Sequence, residues 1–380
     1  MASLLSEITL QPQVRDLLQS MVSAQRVTHA YLFSGPKGCG KLDAAYAFAQ
    51  AILCENEGCG SCIDCKKVQI RKHPDVHVVQ PEGAAGYLIE QIRMVVADAN
   101  RAPIQARKKV YILDAAETFG TAAANAFLKT LEEPTGHAVL ILLTSSEASV
   151  LPTILSRCQV VRFRSVPANE LACEVARRSG ASEETAGVAV ALCDGSLELA
   201  QEYCQNEELQ EVRQRFLELL AKLESYDDWD LLKAANELMQ GGESLIDQLK
   251  QQQEEELELA SDFLQKGALK QMEARNKRQI TAKTRQLFRV RCSGVESWLR
   301  DVLLVRAGRA ELVVNKDAAE SIRAAAARVD EQRLLCACDA VSRCVNAIDY
   351  NVTLQLCMNT LLLEIREDLY GPDYPGKTYL

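Results

Sequence analysis

Residues 35–42 carry the side chains of a phosphate-binding loop, with one exception. The pattern G-x-x-x-x-G-K-[ST] needs glycines so that backbone amides can wrap a phosphate, a lysine for the β- and γ-phosphates, and a hydroxyl for Mg²⁺. The glycines and the lysine are present as Gly35, Gly38, Gly40 and Lys41. Leu42 stands at the hydroxyl position, and its hydrocarbon side chain cannot ligate a cation that requires oxygen. The segment predicts a nucleotide site that lacks one functional part.

Four cysteines follow within twelve residues, namely Cys54, Cys59, Cys62 and Cys65. Two consecutive C-x-x-C steps with glycines in the turn suit a tetrahedral zinc site, and four thiolates leave no open coordination position. The alternative is a set of free thiols or a redox pair. His73 and His77 lie downstream and could replace a cysteine, although we expect them to be ordinary loop or strand histidines. The spacing favours a structural zinc ion.

An acidic residue, Asp114, directly follows the apolar run at 110–113. In P-loop ATPases an aspartate there holds the Mg²⁺ shell, and in many of them the next residue is a glutamate that orients the attacking water. Here the next residue is Ala115, which cannot act as a base. Glu117 comes three positions after Asp114, and we expect it to point elsewhere. Asp114 could instead cap a helix N-terminus, or do both.

Arg157 lies in the triplet Ser156-Arg157-Cys158, directly after the turn at 151–155. Taken alone, this triplet carries almost no information, because an exposed arginine is usually just solvated. Whether Arg157 has a function must be judged together with the motifs that surround it.

The elements that must position these residues alternate between strands and helices. Short apolar runs at 30–34, 110–113 and 139–143 predict buried strands, while 42–53 and 121–133 predict helices. This alternation indicates a parallel α/β sheet covered on both faces. After about residue 165 the pattern is helical, with a small unit at 167–204 interrupted at 194–196 and a long helical region at 208–367.

The bulk composition limits the possible classes of function. The chain has 380 residues, 48% hydrophobic and 25% charged, which predicts a soluble protein of two or three domains. No stretch of 18 apolar residues predicts a transmembrane helix, and without a secretory signal we expect a cytoplasmic location. The net charge of −9 argues against a freestanding nucleic-acid binder. Fourteen cysteines are present, and we expect the ten outside the cluster to be reduced thiols in the core.

Several segments together resemble the bacterial clamp-loader subunits of DNA polymerase III, within the AAA+ superfamily. They are HAYLFSGP at 29–36 with the glycine loop, the four-cysteine insertion, NAFLKTLEEP at 125–134 and LPTILSRC at 151–158. The resemblance is strong over about residues 5–165 and weaker over the helical remainder. It implies an α/β P-loop AAA+ core at 1–165 with the zinc module at 54–65, a small helical lid at 166–207, and an all-α collar domain at 208–380 that holds a five-subunit ring together.

Three departures from the motor subunits of that family, gamma and tau, bear on the role of this chain. They are Leu42, Ala115, and Glu198 where the lid motif of a motor subunit has an arginine. Thr144 occupies the family's sensor-1 position, but its sensing role is doubtful beside these losses. The S-R-C arginine, which in this family reaches into a neighbour's ATP site, is retained as Arg157. The resemblance therefore favours the delta-prime type of subunit, which does not hydrolyse its own ATP.

This interpretation implies gamma/tau and delta subunits as partners in a hetero-pentameric ring, with the sliding clamp and primed DNA reached through the complex and no membrane contact. ATP or ADP binding by the degenerate site is doubtful. The alternative is a divergent gamma/tau-type ATPase with weak hydrolysis of its own, and a nucleotide-independent zinc scaffold is a distant third. Arg101, Arg107 and the basic segment at 270–291 are candidates for DNA contact, although solvated surfaces are the simpler interpretation.

Overall fold

The computed structural model describes residues 3–83, 86–261, 266–350 and 352–371. The chain divides into two compact units. The first comprises Met1–Glu174 and Gly195–Leu197, and the second Val175–Asp194 and Glu198–Leu380.

The first unit is built on a five-stranded parallel sheet. Its strands are β1 Ala30–Ser34, β2 Val76–Val79, β3 Lys109–Leu113, β4 Ala138–Thr144 and β5 Gln159–Arg162. They lie in the order β2-β3-β4-β1-β5. Every residue of the three central strands is buried, as expected for a parallel sheet covered on both faces. All five strands point the same way, so the loops that follow them emerge at one edge.

Helices cover both faces of this sheet. They are α1 Pro12–Ser23, α2 Lys41–Leu53, α3 Ile63–Gln69, α4 Ile89–Ala99, α5 Thr121–Glu132 and α6 Pro152–Leu155. Alternate strand residues enter two separate cores. Tyr31 and Phe33 pack with Phe48 of α2 on one face, whereas Leu32 packs with Phe127 of α5 on the other. Short 3₁₀ turns occur at Leu4–Glu7, Ala116–Thr118 and Glu147–Ser149.

The remaining elements are helical, as predicted. They are α7 Ala168–Ser179, α8 Glu183–Leu192, α9 Leu197–Gln205, α10 Glu207–Lys222, α11 Asp228–Met239, α12 Glu243–Ser261, α13 Lys266–Arg306, α14 Ala319–Arg328, α15 Glu331–Ala347 and α16 Leu354–Tyr370. Further 3₁₀ turns lie at Leu223–Ser225, Ala310–Leu312, Lys316–Ala318 and Ile348–Tyr350. The second unit has one large core in which Trp298 of α13 is fully buried with Phe216, Ile322 and Met358.

The predicted fold class is confirmed: a parallel α/β P-loop core is followed by an all-helical region. The predicted break at 194–196 separates α8 from α9, where Asp194 and Gly195 have φ of 50° and 71°. Within the predicted helical region, α15 and α16 bury apolar residues in the core of the second unit. The proposed limits of lid and collar stay a prediction. In the parts of the chain that the structure describes, no helix is long and apolar enough to span a membrane.

Candidate nucleotide loop, metal centre and arginine site

The glycine-rich loop runs from the end of β1 to the first turn of α2, which is the strand–loop–helix arrangement that a phosphate-binding loop needs. Gly38 and Gly40 have φ of 72° and 83°, a region that other residues rarely adopt. A Cβ atom on Gly38 would lie 1.8 Å from the carbonyl oxygen of Gly195, and one on Gly35 would lie 2.7 Å from Cβ of Phe163. The loop is therefore tightly enclosed and requires glycine at these positions.

The lysine of the loop is bonded to the loop itself. The Lys41 ammonium donates hydrogen bonds to the carbonyl oxygens of Gly35 and Pro36, both at 2.6 Å. Leu42, at the position of the missing hydroxyl, packs against the apolar cluster on this face of the sheet. Where the phosphate-binding pattern has a cation ligand, this chain therefore has a side chain that packs against the core.

The acidic residue after β3 forms a tight turn with its neighbour. A carboxylate oxygen of Asp114 accepts the backbone N–H of Ala115 at 2.9 Å. Ala115, which has left-handed φ and ψ of 49° and 53°, occupies the N-cap position of the following 3₁₀ turn. The N-cap position of this turn thus lies one residue after Asp114. The position that would carry a catalytic glutamate is an alanine in a conformation that side-chain-bearing residues seldom adopt.

Glu117 is directed from the turn after β3 toward the neighbouring strand end. Its carboxylate accepts hydrogen bonds from the hydroxyl of Ser145 at 2.6 Å and from the Ser145 backbone N–H at 3.3 Å. Burial alone raises the pKa of Glu117, but these hydrogen bonds outweigh it and lower the pKa overall. The side chain thus crosses from the turn after β3 to the end of β4.

Thr144, at the end of β4, is buried and bonded to its own turn. Its hydroxyl lies 3.0 Å from the carbonyl oxygen of Ser146 and 3.2 Å from the Ser146 backbone nitrogen. Its carbonyl accepts the N–H of Gly35 at 3.2 Å, which ties the glycine loop to the neighbouring strand. Glu198, on the first turn of α9, is exposed. The structure brings Gly35, Lys41 and Thr144 to one strand-end edge.

The four clustered cysteines converge on one point. Their sulfur atoms all lie within 4.8 Å of one another, with Sγ–Sγ distances of 3.6 Å for Cys54–Cys59, 3.7 Å for Cys54–Cys62 and 3.9 Å for Cys59–Cys65. A tetrahedron with metal–sulfur bonds of about 2.3 Å has edges of about 3.8 Å. The sulfur geometry therefore fits a four-thiolate metal site.

Backbone amides surround these sulfurs in the way that stabilises thiolates. Asn56, Cys59, Cys62 and Cys65 each donate a backbone N–H to a cluster sulfur, at 3.3 to 3.4 Å. The Ser61 hydroxyl and the backbone amides of Ser61 and Cys62 lower the pKa of the Cys59 thiol to about 5. Burial raises the pKa of the Cys62 and Cys65 thiols, so of these three thiols Cys59 is the one shifted toward the ionised form that ligates a metal.

The two downstream histidines are used elsewhere. The buried His73 ring contacts the Asp64 carboxylate at 3.1 Å and accepts the backbone N–H of Asp75. His77 stacks on Tyr111 with ring centroids 4.9 Å apart. Both are the ordinary structural histidines that the sequence led us to expect.

Arg157 lies just after the short helix α6, between the buried Ile154 and the half-buried Cys158. One guanidinium nitrogen, Nη2, contacts the Glu132 carboxylate at 2.6 Å, and the other, Nη1, donates to the carbonyl oxygen of Thr153 at 2.9 Å. About a third of the Arg157 side chain, 34%, remains exposed. Glu132 lies within the segment 125–134, and no local sequence pattern marks it as the partner of Arg157.

The other basic candidates have varied environments. Arg107 is exposed and pairs with Glu55 at 2.7 Å, and Arg101 is also exposed. In the segment 270–291, Lys283 pairs with Glu202 and the buried Arg291 donates to the carbonyl oxygen of Gly241. At least two cations of that segment are therefore committed to packing within the second unit.

The loop, the parallel sheet and the strand order define the class of protein, a P-loop fold of the AAA+ type. Two family profiles match the chain, one described as DNA polymerase III, delta subunit, over residues 10–167, and one as DNA polymerase III, delta subunit, C terminal, over residues 247–367. Both profiles assign the regions that they match to DNA polymerase III delta subunits.

Curated relatives agree with that assignment. DNA polymerase III subunit delta' of Bacillus subtilis is 40% identical over 158 residues, which is 41% of this chain and 48% of the relative. Subunit delta' of Pseudomonas aeruginosa is 39% identical over 34% of this chain and 41% of the relative. Subunit tau of Bacillus subtilis is 37% identical over 41% of this chain and 28% of the relative. The chain thus spans about half the length of the delta' relatives it matches.

Among solved structures, a gamma subunit-related DNA polymerase III protein of Thermotoga maritima aligns with a TM-score of 0.45 and 18% identity, over 92% of this chain and 99% of that chain.

Proposed function

We propose that this chain is a delta-prime-type subunit of a DNA polymerase III clamp loader. It hydrolyses little or no ATP itself and supplies Arg157 as an arginine finger to the ATP site of a neighbouring motor subunit. Its partners are gamma/tau and delta subunits in a hetero-pentameric ring, and through them the sliding clamp and primed DNA. The names of the relatives described above, which are DNA polymerase III subunits, support a cytoplasmic role in bacterial replication.

One contrast carries this proposal. The Mg²⁺-ligand position is Leu42, a side chain that packs into the core, and the position after Asp114 is an alanine. Arg157, in contrast, is retained directly after a short helix that is anchored by the buried Ile154, and its guanidinium is partly exposed. A subunit with these features can contribute a cation to another active site, whereas its own site lacks the cation ligand and the base.

The cysteine cluster is proposed to hold a structural zinc ion. Four thiolates at tetrahedral spacing match zinc, and a fourth sulfur in place of water leaves no position for a substrate. Its place at the end of α2, with Cys54 as the C-cap and Cys62 as the N-cap of α3, assigns it to holding these two helices together.

The test is ATP hydrolysis by the complex reconstituted with its gamma/tau and delta partners on primed DNA. Arg157→Ala is expected to slow hydrolysis at the site it faces by about 10³-fold, measured in single turnover. Lys41→Ala is expected to leave the rate unchanged, because Lys41 serves a site that does not hydrolyse. Arg15→Ala, which removes another surface arginine from an ion pair, is the matched control.

The alternative of a weak gamma/tau-type ATPase predicts the reverse pattern. In that case the isolated chain would hydrolyse Mg-ATP, Lys41→Ala would abolish the activity, and Arg157→Ala would leave it intact. That result, or an Arg157→Ala complex with normal single-turnover rates, would refute the delta-prime assignment.

A further inference from the structure

Arg157 already has an anionic partner inside its own chain. Glu132, the last residue of α5, places a carboxylate oxygen 2.6 Å from Nη2 of Arg157. The two residues are 25 positions apart in sequence, and their contact joins the ends of α5 and α6. The ends of α5 and α6 are held in place, because Leu131 and Ile154 are buried in the same core.

This ion pair is placed so that another anion can replace it. The side chains of Arg157 and Glu132 are 34% and 49% exposed, and pairs this accessible contribute little net stability because water competes for both charges. A polyphosphate carries more charge than one carboxylate and accepts two parallel N–H bonds from a guanidinium. The hydrogen bond from Nη1 to Thr153 does not depend on Glu132, so the arginine would keep its backbone anchor during the exchange.

The adjacent acidic residue does not share this role. Glu133 is exposed at the C-cap of α5, and its side chain has neither a hydrogen bond nor an ion pair within residues 3–83, 86–261, 266–350 and 352–371. Glu132 and Glu133 thus carry the same charge at nearly the same place, yet Glu132 alone of the two contacts the guanidinium.

Building on the proposed function, we propose that Glu132 is the resting partner of Arg157 and competes with the neighbouring subunit's ATP for its guanidinium. Occupation of the neighbour's site by a nucleotide triphosphate breaks the Glu132–Arg157 pair and forms the arginine–phosphate contact. By this competition Glu132 raises the KM for ATP at the neighbouring site. It acts on Arg157 and does not touch the reacting atoms, so it is a positioning residue.

The experiment compares Glu132→Gln with Glu133→Gln in the reconstituted complex, with ATP as the varied ligand. Glutamine keeps the size of the side chain and removes its charge. Glu132→Gln is expected to lower the KM for ATP by about 2- to 5-fold with kcat unchanged, the range expected for losing an exposed ion pair as a competitor. The difference should shrink as NaCl is raised, because salt screens the pair. Glu133→Gln should leave KM unchanged.

A double-mutant cycle shows whether the effect passes through Arg157. In the Arg157→Ala background, Glu132→Gln should no longer change KM. A persistent effect there, an equal effect of Glu133→Gln, or an unchanged KM in Glu132→Gln would each overturn the competition proposal. A fall in kcat on Glu132→Gln would also overturn it, because the carboxylate would then be orienting the finger.

The two proposals fail separately. If Arg157→Ala slows hydrolysis while Glu132→Gln leaves KM unchanged, the arginine finger stands and the resting pair is refuted. If Arg157→Ala has no effect on hydrolysis, the proposed function itself is refuted, and the resting pair with it.

Discussion

The glycine loop and the Ser156–Cys158 turn belong to the same compact unit, yet their cations are held in different ways. Lys41 donates to two carbonyl oxygens of its own loop, at 2.6 Å each. Arg157 donates to one backbone carbonyl, that of Thr153, but its ion-pair partner is the side-chain carboxylate of Glu132, and both charged groups are partly exposed. Carbonyl groups within one short loop are fixed by the backbone, whereas a carboxylate on a rotatable side chain can be exchanged for another anion.

The glycine loop and the arginine turn therefore retain different features. The glycine loop is tied to its surroundings, with Gly38 against Gly195 and Gly35 bonded to Thr144, while Leu42 packs against the core. The arginine turn keeps a cation near the surface. We propose that the glycine loop has mainly a structural role and that the arginine turn acts on a ligand outside the chain.

The largest expected effect comes from disrupting the cysteine cluster, which should loosen the glycine loop and leave the arginine turn unchanged. Cys54 caps the end of α2, the helix that begins at Lys41, so metal loss should loosen the glycine loop. Cys65→Ser is expected to abolish zinc binding and to lower the free energy of unfolding by several kcal/mol, because metal binding is coupled to folding. Metal analysis and thermal unfolding measure this. Hydrogen exchange should quicken at residues 35–53 and stay slow at 152–162.

Cys173→Ser, at an exposed cysteine outside the cluster, should change neither metal content nor stability. Because Cys65 is buried, a chelator acting on the unmodified chain provides an independent perturbation. A chain that purifies without metal and is insensitive to chelators would contradict the zinc assignment.

A smaller effect is expected when the glycine loop is forced open. Gly38→Ala would place a Cβ 1.8 Å from the Gly195 carbonyl oxygen, at a φ of 72° that alanine tolerates poorly. We expect a loss of about 2 kcal/mol or more, measured by denaturant unfolding. The control is Gly136→Ala, whose Cβ would meet no atom within 4 Å. Equal stabilities for the two variants would show that the enclosure of the loop is not tight.

The smallest effect tests the polar contact at the edge of the sheet. The pKa of Glu117 is lowered in the folded chain, despite burial that alone raises it, by its hydrogen bonds to Ser145. Its stabilisation is therefore present above the ordinary glutamate pKa of about 4.3 and is lost as the pH falls through the folded value. Glu117→Gln should reduce stability slightly at pH 7, and this loss should diminish as the pH falls below about 4.3.

Glu133→Gln supplies the matched control, because this exposed side chain has no bonded partner within the described residues. Stability is measured by denaturant unfolding at both values of pH. If Glu117→Gln lost as much stability at pH 3 as at pH 7, the contribution would come from packing and not from the charge.

The sequence by itself determined the parts of the fold that depend on local pattern. The central strands β1, β3 and β4 were predicted to within one residue at either end, because strands buried on both faces appear as continuous apolar runs. The strands β2 and β5 were missed, and both lie at the edges of the sheet. Edge strands are partly solvated, so their residues, among them His77 and Arg162, carry no strong apolar signal. The cysteine cluster was also predicted, because its ligand spacing is local.

Only the tertiary structure decided which distant groups meet. The strand order brings the ends of β3 and β4 side by side, and this places Glu117 on Ser145, 28 positions away. The packing of α5 beside α6 sets Glu132 against Arg157. Such contacts depend on topology and side-chain rotamers, which no short sequence pattern encodes. The sequence therefore determined that Arg157 is retained and that Leu42 replaces a hydroxyl, whereas the fold determined which carboxylate holds the arginine.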